Sequence, residues 1–142
     1  NTMLAAINPA AKMDVVALGS VEAMLRVREL LEEGVFVGML GDRTPGGEGV
    51  MELAFLGRVA KFPVGPMRVA ALLGRPVILM LGLYLGGNRY RVVFEPIADF
   101  SAVGRGEREA AVREAVVRYA GRLEEYCRAY PYNWFNFYRF WA

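Results

Sequence analysis

Near the start of the chain, the hydrophobic pattern predicts a strand, a helix and a second strand. A short apolar run over Val15–Leu18 is typical of a buried strand. Ser20 is a good N-cap for a helix over Val21–Glu33, and Gly34 is placed to end it. Val35–Leu40 is apolar enough to be a strand inside a sheet. Such a strand–helix–strand unit favours parallel pairing with a right-handed crossover.

The middle of the chain predicts a loop, a strand and a short helix. Gly41–Val50 holds four glycines and one proline and is the clearest loop. Met51–Phe55 is expected to be a short strand, and Phe62–Pro66 a turn. Pro66 suits the first position of a helix that runs through Leu73 and is closed by Gly74.

The last third predicts a β-hairpin and a long helix. Pro76–Leu85 is expected to be a buried strand that turns at residues 86–88 and pairs with Arg89–Ile97 as an edge strand. In that second strand one face is expected to be wet, because charged residues alternate with Tyr90, Val92 and Phe94. The longest helix is expected over Arg105–Ala129, with one apolar stripe.

The chain ends in YPYNWFNFYRFW, with eight aromatic residues among twelve. Trp134, Phe137, Tyr138 and Trp141 are spaced as one face of a terminal helix. This face could close the core, or it could anchor the protein at a membrane interface. The whole pattern predicts a single α/β domain over residues 1–142, with a central mixed, largely parallel sheet flanked by helices. The β-hairpin, the long helix and the aromatic helix would complete it.

Composition excludes several classes of site. The sequence has no histidine, which removes a histidine general base, Ser-His-Asp and Cys-His catalysis and His-ligated zinc from this chain. Its one cysteine, Cys127, can form neither an internal disulfide nor a metal cluster. A net charge of +2 is too small for a general nucleic-acid binder. No apolar run approaches the roughly 20 residues of a membrane-spanning helix.

Two segments could carry chemistry. Asp42 and Arg43 follow the predicted strand Val35–Leu40, where a carboxylate beside a guanidinium could orient a hydroxyl substrate or clamp a phosphate. Alternatively, Asp42 caps a turn and Arg43 pairs with Glu48 or Glu52. The second segment is the turn Phe62-Pro63-Val64-Gly65-Pro66, whose backbone N–H groups could bind an anion, with Arg58 and Arg68 flanking it. Its alternative role is that of a rigid structural turn.

These segments carry a resemblance to a known family. In order they are GDR (41–43), FLGR (55–58), FPVGP (62–66) followed by RVA, GRPV (74–77) and the aromatic tail. Each motif is weak alone, but together they resemble the lysophospholipid acyltransferase superfamily. The chain is most similar to the C-terminal half of bacterial lipid A biosynthesis (lauroyl) acyltransferase-like proteins.

The resemblance implies transfer of a fatty acyl group from an acyl-carrier-protein or coenzyme A thioester to a hydroxyl of a lipid or glycolipid, without metal or cofactor. It also implies a peripheral location at the cytoplasmic face of the bacterial inner membrane. The family's catalytic His-x-x-x-x-Asp/Glu pair is absent here, so we expect no catalytic residue in this chain and interpret it as the C-terminal portion of a longer acyltransferase. The alternatives are a non-catalytic lipid- or anion-binding or scaffold module, and a nucleotide-binding enzyme.

By position, the resemblance assigns substrate contacts. Asp42 and Arg43 would lie near the acceptor, with Arg43 binding its phosphate or carboxylate. Phe62, Pro63, Gly65 and Pro66 would shape the acceptor pocket, with Arg58 nearby. An exposed sheet edge would also allow a homodimer.

Overall fold

The computed structural model describes Val16 and residues 20–43, 49–136 and 139–141. The chain divides into two compact units, residues 1–38 and 39–142. The described residues combine helices with antiparallel strands, which is an α/β composition. In chain order the elements are α1 (Val21–Glu32), β1 (Val50–Phe55), β2 (Arg58–Pro63), α2 (Gly65–Leu72), β3 (Pro76–Tyr84), β4 (Tyr90–Asp99) and α3 (Arg108–Ala129).

The first unit contains α1, which begins and ends where the sequence predicts. The Ala23 N–H donates to Ser20 Oγ at 3.1 Å, which confirms the N-cap. At the other end Gly34 has a φ of +80°, and the Val35 N–H donates to the Leu30 carbonyl at 2.9 Å. These are the features of a Schellman end, in which glycine adopts the left-handed conformation at lowest cost.

Val35–Leu40 was predicted to be a strand but has no strand structure. The predicted central, largely parallel sheet is therefore wrong. The described sheets are two separate antiparallel hairpins, β1–β2 and β3–β4. A strand needs a hydrogen-bonded neighbour, and residues 35–40 have none in either sheet. Pairing across a short turn also costs less loop entropy than a long crossover does. The predicted strand Val15–Leu18 lies outside the described residues except for Val16.

The hairpin β1–β2 begins the second unit. Its strands pair from Val50 opposite Pro63 to Phe55 opposite Arg58. The connecting residues Leu56 and Gly57 have φ values of 51° and 83°, as a two-residue type I′ turn requires. Strand β1 was predicted from the sequence, whereas β2 was not, because the turn lacks the usual Asn or Asp before its glycine.

Helix α2 follows β2 directly and confirms the predicted short helix. Pro66 lies in its first turn, where a missing N–H costs no helical hydrogen bond. The helix ends before Gly74, with the Arg75 N–H donating to the Ala70 carbonyl at 2.9 Å. Arg68 on α2 forms an ion pair with Glu109 of α3 at 2.8 Å, which joins the two helices at the surface.

The second hairpin, β3–β4, also confirms a prediction, but its faces are reversed. Tyr90, Val92 and Phe94 lie on the exposed face, while Ile97 is buried. A β-bulge at Val77/Ile78 leaves Ile97 as the extra residue of β4. Its carbonyl accepts a 2.7 Å hydrogen bond from Arg118 of α3.

Glu95 explains how a charged residue can lie on the inner face of β4. Its carboxylate forms an ion pair with Arg122 of α3 at 2.5 Å and also accepts from the Tyr126 hydroxyl at 3.3 Å. The hydrogen bond from Arg122, followed by its charge, lowers the pKa of Glu95 against the opposing effect of desolvation. Glu95 therefore helps to hold the hairpin against α3 instead of marking a wet face.

Helix α3 is the scaffold of the second unit. Its apolar stripe packs into a core shared with both hairpins and α2. The sequence predicted the stripe well, and its buried residues are Val112, Ala115, Val116, Ala120, Leu123 and Cys127. Within the described ranges, none of the helices is both long and apolar enough to cross a bilayer.

The aromatic tail packs onto the β1–β2 hairpin. The prediction of a terminal helix is wrong for Trp134–Asn136, which is not helical. A single 3-10 turn at Pro131–Asn133 redirects the chain there. Phe137 and Tyr138 lie outside the described residues. The rings of Phe62, Trp134, Phe140 and Trp141 lie with their centroids 5.3–6.4 Å from that of Phe55. The Trp141 Nε1–H donates to the Phe55 carbonyl at 3.3 Å. The described part of the tail thus closes the core.

Replacing Phe55 tests this aromatic cluster. Its side chain is 0% exposed, so we expect Phe55→Ala to lower the free energy of unfolding by about 3–5 kcal/mol. Tyr132→Ala is the control, since Tyr132 is 92% exposed and should cost less than about 0.5 kcal/mol. Urea denaturation of both variants measures the difference. Equal effects would contradict the role given to Phe55.

The ion pair of Glu95 predicts a pH dependence. Its lowered pKa means that the pair stabilises the fold at neutral pH and that this stabilisation is lost as the pH falls below the ordinary glutamate range. Glu95→Gln should therefore unfold at lower urea than the wild type at pH 7, with a difference that shrinks at pH 3. The exposed Glu52→Gln should show no such pattern. A constant difference for Glu95→Gln would refute the ion-pair explanation.

Candidate functional site

The segment Gly41-Asp42-Arg43 lies against α3, and its glycine makes this possible. A Cβ at Gly41 would lie 2.8 Å from Cζ of Tyr119, closer than side-chain carbons normally approach. A larger residue at position 41 would therefore force the Tyr119 ring to move. Asp42 is half-buried and Arg43 is exposed.

The electrostatic effect of Asp42 reaches Cys127 near the end of α3. Burial, followed by the negative charges of Glu124 and Asp42, raises the pKa of the Cys127 thiol to about 11. The thiol is therefore protonated at neutral pH and is a poor nucleophile. Cys127 is buried in the apolar stripe of α3, where it packs in the core.

Tyr119 connects the Gly41–Arg43 segment to the FPVGP turn. Its ring centroid lies 6.2 Å from that of Phe62, in an edge-to-face arrangement. Phe62 itself is fully buried, so it supports the site from the core and does not face a substrate.

The FPVGP turn joins β2 to α2 and is held from both sides. The Val64 N–H donates to the Gly49 carbonyl at 2.8 Å, and the Val64 carbonyl accepts from the Arg68 N–H at 2.9 Å. Pro63 ends β2, while Gly65 and Pro66 begin α2. These contacts favour the structural role of the turn.

The structure separates Arg58 from this turn. Arg58 begins β2 and Pro63 ends it, so five residue steps of extended strand, roughly 17 Å, lie between them. The Arg58 guanidinium lies over the ring of Trp141, 5.6 Å from its centroid. Arg68 is the arginine next to the turn, and it is engaged by Glu109. The structure thus places Arg58 beside Trp141 and at the opposite end of β2 from the turn.

Two cavities in the second unit are smaller than ordinary ligand sites. One, of about 50 Å³, lies between β3 and α3 and is lined by Leu83, Tyr126 and Trp134 among others. The other, of about 210 Å³, lies between the end of β4 and α3, beside Asp99 and Arg118. Small-molecule pockets usually enclose roughly 300–1,000 Å³, so neither cavity would hold a fatty acyl chain.

The chain also offers no proton acceptor of the expected kind. It contains no histidine, and Cys127 is protonated at neutral pH. Across the part of the chain that the structure describes, no three Cys, Asp or Glu side chains come together as a metal site. What the site offers chemically is binding, through the exposed Arg43 and the half-buried Asp42 that precedes it in the sequence.

Comparison of the chain with known protein families, curated proteins and solved structures finds no match to any of the three.

A double-mutant cycle tests the contact between the Gly41 segment and α3. Gly41→Ala forces the Tyr119 ring to move, so we expect the free energy of unfolding to fall by about 1–2 kcal/mol. In a Tyr119→Ala background the same substitution should cost much less, because the ring is gone. Gly106→Ala, where an added Cβ meets nothing within 4 Å, is the control glycine. Additive effects of Gly41→Ala and Tyr119→Ala would show that the two residues do not touch.

Proposed function

We propose that this chain is the substrate-holding part of an O-acyltransferase of the lysophospholipid and lipid A acyltransferase type. The proposal rests first on the ordered motifs from GDR to the aromatic tail. The structural observation that carries it is the Gly41–Arg43 segment, which packs against α3 through Gly41 and leaves Arg43 exposed. An exposed arginine suits a phosphate or carboxylate, because its guanidinium can donate two parallel hydrogen bonds.

In the proposed reaction, a base outside this sequence takes the proton from the acceptor hydroxyl. The oxygen then attacks the thioester carbonyl, an ester forms, and the C–S bond breaks to release the carrier thiol. Arg43 holds the anionic group of the acceptor, and the neighbouring Asp42 orients its hydroxyl. The thioester comes from an acyl carrier protein or coenzyme A, and the acceptor is a lipid or glycolipid at the cytoplasmic face of a bacterial inner membrane.

The small cavities also bear on the proposal. An acyl chain fits neither of the two cavities described above, so the proposal requires further residues to form the acyl groove. The same holds for the base, since the sequence lacks histidine. In this proposal, substrate binding belongs to this chain and proton transfer to another polypeptide segment.

A second candidate function follows from the same lack of a base. Taken alone, the chain would be a non-catalytic module that binds an anionic lipid through Arg43. The two functions differ in turnover: addition of a polypeptide that carries the His-x-x-x-x-Asp pair should restore acyl transfer only if the first is correct. A nucleotide-binding enzyme would instead show thermal stabilisation by ATP or NAD that acyl-CoA fails to give.

Substitution of Arg43 tests the proposed role. We expect Arg43→Ala to weaken binding of a lysolipid phosphate to this chain about tenfold or more, since a charge-assisted hydrogen bond is worth about 1.5–3 kcal/mol. Isothermal titration calorimetry measures the binding, with monoacylglycerol as the ligand that lacks phosphate. Arg105→Ala is the matched control, because Arg105 is also exposed.

In a catalytically complete enzyme, Arg43→Ala should lower kcat/KM by an order of magnitude or more and leave the unfolding transition unchanged. Unchanged lysolipid binding and unchanged turnover would instead assign Arg43 to surface pairing.

A further inference from the structure

The hairpin β3–β4 exposes an apolar face without a single charged side chain. The large residues of this outward hairpin face are each 44–69% exposed. Single exposed hydrophobic residues are ordinary, but a contiguous patch of this kind marks an interaction surface. The face consists of Ile78, Met80 and Tyr84 from β3 and Tyr90, Val92 and Phe94 from β4.

The opposite face of the same hairpin is covered. Leu79, Leu83 and Ile97 are buried in the second unit, and Glu95 is paired with Arg122. Because side chains alternate along a strand, a hairpin with apolar residues on both faces has two surfaces to cover. Helix α3 covers only the inner one.

The outward hairpin face is large enough for a stable protein interface. A large apolar or aromatic side chain presents roughly 150–250 Å² when fully exposed. At the observed exposures the six side chains together offer on the order of 700 Å², against about 800 Å² per partner in a standard-size interface. Its content of tyrosine, phenylalanine and methionine, and its lack of charge, are typical of interface cores.

The order of large and small residues along the outward hairpin face lets two copies of the face fit together. Cross-strand pairs along the hairpin are Ile78 with Pro96, Met80 with Phe94, Gly82 with Val92 and Tyr84 with Tyr90. Because Met80 and Phe94 are large and Gly82 has no side chain, we expect the first pair to form a ridge and the pair Gly82–Val92 a groove beside it. A twofold axis between these two pairs places the ridge of each copy over the groove of the other.

We propose that the outward hairpin face is the interface of a homodimer related by this twofold axis. An isologous contact of this kind closes after two copies, so association stops at the dimer. No charge of one copy meets a like charge of the other within the face, because the face carries none. The absence of Lys and Arg from the face also distinguishes it from the basic surfaces that bind anionic lipid.

Analytical ultracentrifugation of the full chain tests the proposal. The concentrations should span about 1 to 100 µM, because interfaces of this size reach at least micromolar affinity. We expect a concentration-dependent monomer–dimer equilibrium. Val92→Lys should raise the dissociation constant at least tenfold, because it buries a charge in the interface. Val59→Lys is the matched control, since Val59 is also an exposed strand valine, at 62% against 58% for Val92, and should change it less than twofold.

Gly82→Phe tests the ridge and groove without adding a charge. A Cβ at Gly82 meets no atom within 4 Å, so the side chain starts in open space in the monomer, whereas in the dimer it would fill the groove. This variant should also raise the dissociation constant at least tenfold and keep the wild-type circular dichroism spectrum.

The proposal would be overturned if the chain stayed monomeric throughout, or if it formed an open series of larger oligomers. It would also be overturned by a dimer that neither Val92→Lys nor Gly82→Phe weakens. A monomer that floats with phosphatidylglycerol vesicles and loses this binding on Val92→Lys would overturn it as well, because the occupant of the face would then be a lipid surface. None of these results depends on the acyl-transfer proposal.

Discussion

The packing of α3 is the constraint on which the second unit depends. Among the described residues, its two hairpins share no strand ladder with each other, and each consists of two strands. A two-stranded hairpin is marginal in water by itself, so its stability comes from what covers its apolar face. The buried stripe of α3 contacts both hairpins and α2, and the Glu95–Arg122 pair and the Arg118 bond to Ile97 add polar links. Packing against α3 therefore connects the two hairpins, as hydrogen bonds between neighbouring strands do in a continuous sheet.

Local signals in the sequence predicted the helices well. The Ser20 cap, the glycine ends of α1 and α2 and the long periodic stripe of α3 are all found at or near the predicted residues. Each is set by side chains within a few turns of one another, so a single sequence carries the whole signal. The hairpin turn at residues 86–88 was predictable for the same reason.

The pairing of the strands and the direction in which their faces point were less predictable, because both depend on residues distant in the chain. The apolar run Val35–Leu40 looks like a buried strand, yet strand structure requires a partner that the run itself does not specify. The two faces of β4 could not be assigned from alternation alone. Their orientation depends on the bulge at Ile97 and on Arg122, which satisfies Glu95 from another element. In the candidate site, the placement of Gly41 against Tyr119 and of Arg58 on Trp141 likewise depends on tertiary contacts.

The absence of a shared ladder between the hairpins has a consequence for how the second unit opens. In a continuous sheet an edge strand can peel away while the rest stays paired. Here, detachment of α3 uncovers the inner faces of both hairpins in one event. Native-state hydrogen exchange would then report the most protected amides of β1–β4 opening together with those of α3, as one cooperative unit held by side-chain packing.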